Sequence, residues 1–360
     1  MRPLPKVEID MIRHTRKQRQ AGVALITALL VTALVAMAVV SLASRQFVDL
    51  RRTSNVMETD QAYLYALGIE SVAKSLLSQY KSKRQDKYDK LDDEQLFQEY
   101  TFPVEGGGVK GNISDLEAKF NLNRLLDPPP KEGEPEPINA QAQAQLECIL
   151  RDVMAEMGKN SGSAQELVHA IADWIDGDQY PRSQGGAEDS EYLGKERPYR
   201  AANTAMVSVS ELLLIEGFDR ELLYGKKVEE GDDIKGLVEY VTVLPTKDNK
   251  LNVNTAEPLL IQCISSKFTK QHISDLKGDR PYKTAADFDT KAKSFFTEQA
   301  DKDAIANDLG GGYVTVDSRY YMVNATASVG RSSTHFHAMI YQRNDGSFGS
   351  IFRSIGSGNI

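Results

Sequence analysis

RQAGVALITALLVTALVAMAVVSLASRQFVDLRRT, residues 19–53, carries no charged side chain between Gln20 and Ser44. As a helix, residues 23–43 rise roughly 31 Å, enough to cross the hydrocarbon core of a bilayer. The Arg and Lys side chains before it hold the amino end in the cytoplasm by the positive-inside rule, which puts the body on the opposite side. A secretory signal peptide also has a basic stretch and an apolar stretch, and Ala43 and Ser44 imitate its small-residue cleavage site. A plain signal anchor fits the same residues. What separates the readings is the continuation beyond the membrane.

No proline occurs between Pro5 and Pro103, and apolar residues keep helical spacing through Phe47, Leu50, Met57, Leu64, Leu67, Val72 and Leu76. Charges begin at once after the apolar run, with Arg45, Asp49, Arg51 and Arg52. The pattern predicts one helix to about Tyr80, apolar in its first half and amphipathic in its second, roughly 85 Å long. Such a helix anchors a subunit in a bilayer and also serves as the shared core of a filament. A signal anchor has no need of it.

The 360 residues exceed one typical domain and predict an anchor plus two or three packed units. Apolar residues at 41% and charged residues at 26% exclude wholesale disorder. Residues 1–22 hold six Lys or Arg against Glu8 and Asp10, so removing their net +4 takes the chain from −8 to −12. A surface that acidic repels nucleic acid and suits divalent cations or a basic partner. Met11 offers a later start with a shorter, more uniformly basic leader. The two cysteines, Cys148 and Cys263, form a bridge in an oxidising compartment or stay separately buried, and spacing leaves both open.

After a mixed acidic and basic stretch at 81–99, the segment 101–126 reads as short strands turned at Gly106, Gly107, Gly108 and Gly111. DPPPKEGEPEPIN, 127–139, reads as a proline-rich linker. Helical spacing returns at 140–157 and at 163–175, where Ser163 and Glu166 form a capping-box pattern, and again at 207–217 and 255–268. YYMVNATASVG, 320–330, and THFHAMIYQR, 334–343, have strand composition with a turn through Gly330–Ser333. The sum is an α+β fold with a long amino-terminal helix, a small antiparallel sheet and a large helical insertion.

The densest polar constellation is ADWIDGDQYPRSQGGAEDSEYLG, residues 172–194. Asp173, Asp176 and Asp178 come from a helix end and the turn after it, and Glu188, Asp189 and Glu191 return after a Gly-rich excursion. Carboxylates this close repel unless a cation neutralises them, and Ca²⁺ accepts six to eight oxygens in flexible geometry. The spacing is not that of an EF-hand, and a solvated acidic loop is the bland alternative. His335 and His337 share a strand face without a third zinc ligand, and His169 lies one helical turn before Asp173 without a nucleophile. With no nucleophile elbow, phosphate loop or dinucleotide fingerprint, the sequence does not describe an enzyme.

The amino-terminal stretch, followed by DQAYLYALGIE at 60–70, resembles the start of the type II secretion minor pseudopilin K subunit. ISDLEAKFNLN, 113–123, resembles that family's strand and turn before its large insertion. The resemblance implies a type IV pilin-like fold and a leader, 1–22, cut after Gly22 by prepilin peptidase with methylation of the new terminal Val23. It implies a transmembrane half at 23–43, an amphipathic half at 44–80, a loop and first strands at 81–126, an inserted helical domain at 127–312, and closing strands at 313–360. Most pilins carry Glu at the fifth mature position. Here Thr27 stands there, as in the K subunit, which fits a subunit with none above it. The DWID…GAED…Y pattern implies calcium held by Asp176, Asp178, Glu188 and Asp189, with Asp173 and Asn203 as further candidates. The implied partners are minor pseudopilins I and J and the other pseudopilins, on an inner-membrane anchor with the body in the periplasm of a Gram-negative bacterium.

NVNTAEPLL, 252–260, and RPYKTAADF, 280–288, resemble the two ends of the helix-hairpin-helix unit in the DNA-uptake protein ComEA, within a unit spanning 237–290. This supports an alternative, a DNA-binding minor pilin of a competence system. The centre, ISSKFTKQHI at 264–273, lacks the glycine that lets backbone N–H groups approach phosphate. With an acidic mature chain, the expectation is a fold retained for packing and no nucleic acid.

Overall fold

The computed structural model describes residues 7–83, 88–89, 98–129, 131, 136–228, 231–247 and 250–356, with side chains from residue 23 onward. Residues 1–6, the leader's side chains, and parts of the 81–99 and 127–139 stretches lie outside the described residues. Helix α1, Val7–Lys83, runs unbroken through the apolar segment and past Tyr80. It contains one span long and apolar enough to cross a membrane, and that span has no cover inside the protein.

The carboxyl half of α1 lies on a five-stranded antiparallel sheet. In sheet order these strands are β1 (Tyr100–Val104), β2 (Gly107–Asp115), β3 (Tyr320–Val329), β4 (Ser332–Gln342) and β5 (Phe348–Ile355). β2 pairs with β3 from Gly107↔Val329 to Asp115↔Tyr321, so the sheet closes across everything inserted between them. Ala62, Ala66, Ile69, Ala73 and Leu77 form one buried helix face against Ile113, Val323, Ala325 and Phe336. The alanines bring the helix backbone close to the strands, and non-local strand pairing holds it there.

The glycines of this region divide the work differently from the sequence expectation. Only Gly106, at φ 78°, makes the β1–β2 turn, and Gly107, Gly108 and Gly111 sit within β2. A side chain at Gly111 would meet Ile69 Cγ2 at 2.6 Å, so this glycine admits the helix. The β3–β4 turn is tighter than expected, through Gly330 and Arg331 alone. β5 had no clear signal, because FGSIFRSI alternates weakly. Glu70 fixes it: Arg353 Nε donates to Glu70 Oε2 at 2.6 Å and Lys74 Nζ to Oε1 at 2.6 Å, with Ser350 donating as well.

Between β2 and β3 the chain builds a second core. Helix α2 (Ala140–Glu156) is capped by Asn139 and packs on α3 (Ala164–Ile175). The capping box expected at Ser163 is not formed. Asn160 caps a 3-10 turn at 161–163, and Ser163 Oγ donates back to Asn160 O. Short helices follow: α4 (Asp189–Tyr192), α5 (Arg220–Tyr224), α6 (Pro258–Gln262), α7 (Lys270–Gly278), α8 (Ala285–Ser294) and α9 (Gln299–Asp308). The segment 207–217 gives only a 3-10 helix, Val209–Leu214, and 255–268 shortens to α6, which Pro258 starts. Phe120, Leu122, Leu125, Tyr313 and Val316, outside the sequence-based limits of the insertion, bury in this core.

Cys148 and Cys263 are bridged, with Cα atoms 5.5 Å apart across 115 residues of sequence. The bond ties α2 to the end of α6. A cross-link over so long a loop restricts the unfolded chain, and removing one typically costs about 2–4 kcal/mol. Replacing both cysteines by serine is expected to lower the unfolding free energy of the insertion by that amount, read as a lower denaturant midpoint, while the helix–sheet unit melts as before. Equal midpoints in the oxidised and serine forms would show that the bridge contributes nothing.

Candidate metal centre

α3 ends by burying its last turn. Leu167, Val168, Ile171 and Trp174 face the core, and Asp173 is carried under with them, fully buried. The chain leaves the helix at Asp176, which is extended and equally buried. The excursion 177–187 then folds back over the helix end. His169 Nδ1 donates to the carbonyls of Ser183 and Gln184, and a side chain at Gly186 would strike Asp173 and the Arg182 backbone. Glu188 arrives as the residue before α4, 1% exposed. An aromatic stack supports the return: Trp174 meets Tyr192 edge-on and Tyr192 stacks on Tyr199, both at 5.3 Å.

The structure thus gathers Asp173, Asp176 and Glu188, whose nearest carboxylate oxygens lie within 4.8 Å of one another. Arg182 is the residue that counting acids missed, although it stands inside the acidic stretch. Its guanidinium donates to Asp173 Oδ1 at 2.6 Å and to Asp176 Oδ2, its own N–H donates to Asp173 Oδ2, and its far nitrogen reaches Glu136 O. Asp176 Oδ1 and both Glu188 oxygens are buried without a hydrogen-bond partner. Buried acceptors are rarely left so. With all three carboxylates ionised, one guanidinium leaves two negative charges, the charge of one divalent cation.

Other candidates stand at the margin. Asp178 Oδ1 accepts from Tyr180 N, and Asp189 Oδ1 accepts from Ala201 N with Arg200 on the other oxygen. Neither belongs to the buried group. Asn203 adopts φ 47°, a conformation Asn tolerates. Its Nδ2 donates to Asp178 O, and its buried Oδ1 has no partner. Burial, and then repulsion from Asp176, Asp173, Asp178 and Asp189, pushes the Glu188 carboxyl up to about 8. Burial also raises Asp173 and Asp176 despite Arg182.

Elsewhere, Thr27 Oγ1 donates to Ala24 O at 3.0 Å, satisfying itself on its own helix. His335 and His337 are hydrogen-bonded to Thr326 and Asn324 on the adjacent strand. Asn252 and Asn254 of the helix-hairpin-helix-like motif are buried and bonded inward.

A family model described as "Type II secretion system (T2SS), protein K" matches residues 118–226, the part of the insertion holding the acidic group. Type II secretion system protein K of Pseudomonas aeruginosa is 30% identical over 351 residues, covering 96% of this chain and 95% of its own. The chain belongs to the type II secretion system protein K family. The K protein of Pectobacterium carotovorum is 27% identical over 90% of the chain and 93% of its own length. The crystal structure of the GspK–GspI–GspJ complex from enterotoxigenic Escherichia coli superimposes with a TM-score of 0.66 at 22% identity, covering 85% of this chain and 100% of that one. The K family therefore shares this fold, a long helix on an antiparallel sheet with a helical insertion.

Stripped of divalent cations, the Glu188 site holds a proton that the unfolded chain has already lost between pH about 4.5 and about 8. Its contribution to stability is present below about 4.5 and falls as pH rises through about 8. Glu188→Gln, melted in chelator at pH 8, is expected to exceed wild type in melting temperature, with the difference closing toward pH 5. A difference independent of pH would detach Glu188 from the repulsion described.

Proposed function

We propose that the chain is the K minor pseudopilin at the tip of a type II secretion pseudopilus, assembled with minor pseudopilins I and J and the other pseudopilins in protein export across the outer membrane. It is a structural subunit without catalytic activity of its own. The observation that carries the reading is the 30% identity spanning 96% of the chain, which includes helix and insertion alike. On α1, Leu50, Met57 and Leu64 recur every seventh residue and are each more than 60% exposed, the spacing at which a second helix packs. The insertion is too bulky to repeat along a shaft, which suits a cap.

In this reading residues 1–22 are a leader removed by prepilin peptidase between Gly22 and Val23, and Val23 is then methylated. Residues 23–43 anchor the subunit in the inner membrane with its body in the periplasm. The helical domain, set at 127–312 by sequence and taking in Phe120, Leu122, Leu125, Tyr313 and Val316 by its core, is inserted into a pilin domain made of the flanking parts of 44–126 and 313–360. Thr27 at the fifth mature position needs no partner from a neighbouring subunit, where a lone carboxylate in the bilayer would cost several kcal/mol. Intact mass after co-expression with a prepilin peptidase is expected to show loss of residues 1–22 and one added methyl. A mature chain beginning near Arg45 would mean an ordinary signal peptide.

The buried acidic group is read as a calcium site held by Asp176 and Glu188, with Asp173 shared with Arg182, and Asn203 and Asp178 beside it. Calcium supplies neutralisation there and cross-links the end of α3 to the returning loop. The unpartnered oxygens and the two uncompensated charges support this. The full-length protein in detergent is expected to melt higher in Ca²⁺ than in chelator, its unfolding free energy raised by about 2.7 kcal/mol at a hundred times Kd. Mg²⁺ should do much less, because it demands tight octahedral geometry. Asp176→Ala with Glu188→Ala should remove the shift and leave α1 and the sheet folded. Equal melting in calcium and chelator would return the group to an acidic cluster held by Arg182 alone.

A further inference from the structure

A second buried group of carboxylates stands far from the acidic site in sequence, at the neck where the insertion leaves and rejoins the sheet. The chain departs through Asp115 and Glu117 at the end of β2 and returns through Asp317–Tyr320 at the start of β3. The neck strands hydrogen-bond directly, Leu116 N to Tyr320 O at 3.1 Å. The helix-hairpin-helix-like motif closes the joint from the insertion side, with Asn252 N donating to Glu117 O at 2.7 Å. Asp115, Glu117, Asn252 and Ser318 are all buried.

The partners of the two neck carboxylates are neutral. Asp115 Oδ2 accepts from Thr255 Oγ1 at 2.6 Å, Ser318 Oγ at 2.7 Å and Asn252 Nδ2 at 3.3 Å, and its Oδ1 accepts from Glu117 N. Glu117 Oε2 accepts from the backbone N–H groups of Arg319 and Tyr320. Among the described residues no cation touches either carboxylate. Lys81, from the end of α1, goes to Asp89, Asp317 and Ser318 O, and the Arg319 guanidinium turns away to Gln342 O and Asn344 Oδ1. The other titratable groups facing the pair are the buried Asp89, whose Oδ2 accepts from Asn252 Nδ2 and Ser318 N beside Asp115, and Tyr320 and Tyr321; the Tyr321 hydroxyl donates to Ser318 O. Two adjacent buried carboxylates with only neutral donors cannot both ionise without strong repulsion.

We propose that the neck is a proton-held joint: Asp115 and Glu117 share the burden of holding the insertion on the sheet, and loss of the proton from Glu117 loosens the insertion as a unit. Burial, opposed by the Arg319 N–H and reinforced by Asp115, pushes Glu117 up to about 8, and burial and Asp89 push Asp115 up to about 6. A carboxyl raised in the folded state stabilises the fold fully below its unfolded value and loses that contribution as pH rises through its folded value. The joint is therefore tightest at mildly acidic pH below about 4.5 and slackens as pH rises toward about 8. The asparagines that make this segment resemble a DNA-binding motif serve here as the clasp, Asn252 on Asp115 and Asn254 on the Tyr282 carbonyl.

Hydrogen exchange on the full-length protein, in saturating calcium from pH 6 to 8.5, tests the joint at its own amides. After correction for intrinsic exchange, protection at Asn252, Arg319 and Tyr320 is expected to fall by up to roughly tenfold per pH unit. Glu117→Gln keeps an acceptor for the Arg319 and Tyr320 N–H groups and should hold protection constant over that range. Its melting temperature at pH 8.5 should also exceed that of wild type. Wild-type protection that does not change with pH would overturn the proposal whatever the variant does. An equal slope in Glu117→Gln would overturn it as well.

Discussion

Asp173, Asp176 and Glu188 are all buried, and the one guanidinium among them reaches only Asp173 and Asp176. A buried charge without a partner costs far more than an exposed one, so this arrangement sets the conditions under which the insertion folds. Arg182 satisfies Asp173 fully and Asp176 by half. What remains, once Glu188 ionises, is a pair of negative charges with unpartnered oxygens, placed where the end of α3 meets the returning loop. The aromatic stack of Trp174, Tyr192 and Tyr199 and the bonds from His169 hold that loop down.

The other unit rests on close approach. α1 reaches the sheet because Ala62, Ala66 and Ala73 face it and because Gly111 has no side chain to hold it off. Glu70 then locks the edge strand to the helix. Burial raises its carboxyl, but Arg353, Lys74 and Ser350 outweigh that and leave it at about 2, so the contact persists through any mild acid. Residues 23–57 of the same helix stay exposed along their whole length. A helix with a packed half and a bare apolar half suits a subunit that passes from a bilayer into a filament. Disulfide and neck add the remaining constraints, one across the insertion and one at its base.

Much of this was written in local pattern. The uninterrupted apolar run and the absence of proline between Pro5 and Pro103 fix α1, and strand alternation fixes β3 and β4. The acidic stretch announced the site, the resemblance put Asp176, Asp178, Glu188 and Asp189 first, and the fold buries Asp173 with Asp176 and Glu188 while Asp178 and Asp189 stay at the margin. Helical spacing cannot tell which side of α3 a returning loop will cover. Arg182 was legible as a charge and not as a partner, since its role depends on Gly186 letting the loop turn back. The Cys148–Cys263 bridge, the glycines within β2 and the neck all join residues distant in sequence, where local pattern is silent.

The most direct test of a cation-ordered insertion is the structure of the full-length protein with calcium, using anomalous scattering or the density of a heavier lanthanide to mark the ion. The account predicts one peak among Asp176 Oδ1, the Glu188 carboxylate and surrounding oxygens, at the roughly 2.3–2.6 Å of calcium coordination, with Arg182 still on Asp173. A site with no ion at saturating calcium, and Arg182 alone bridging Asp173 and Asp176, would contradict it.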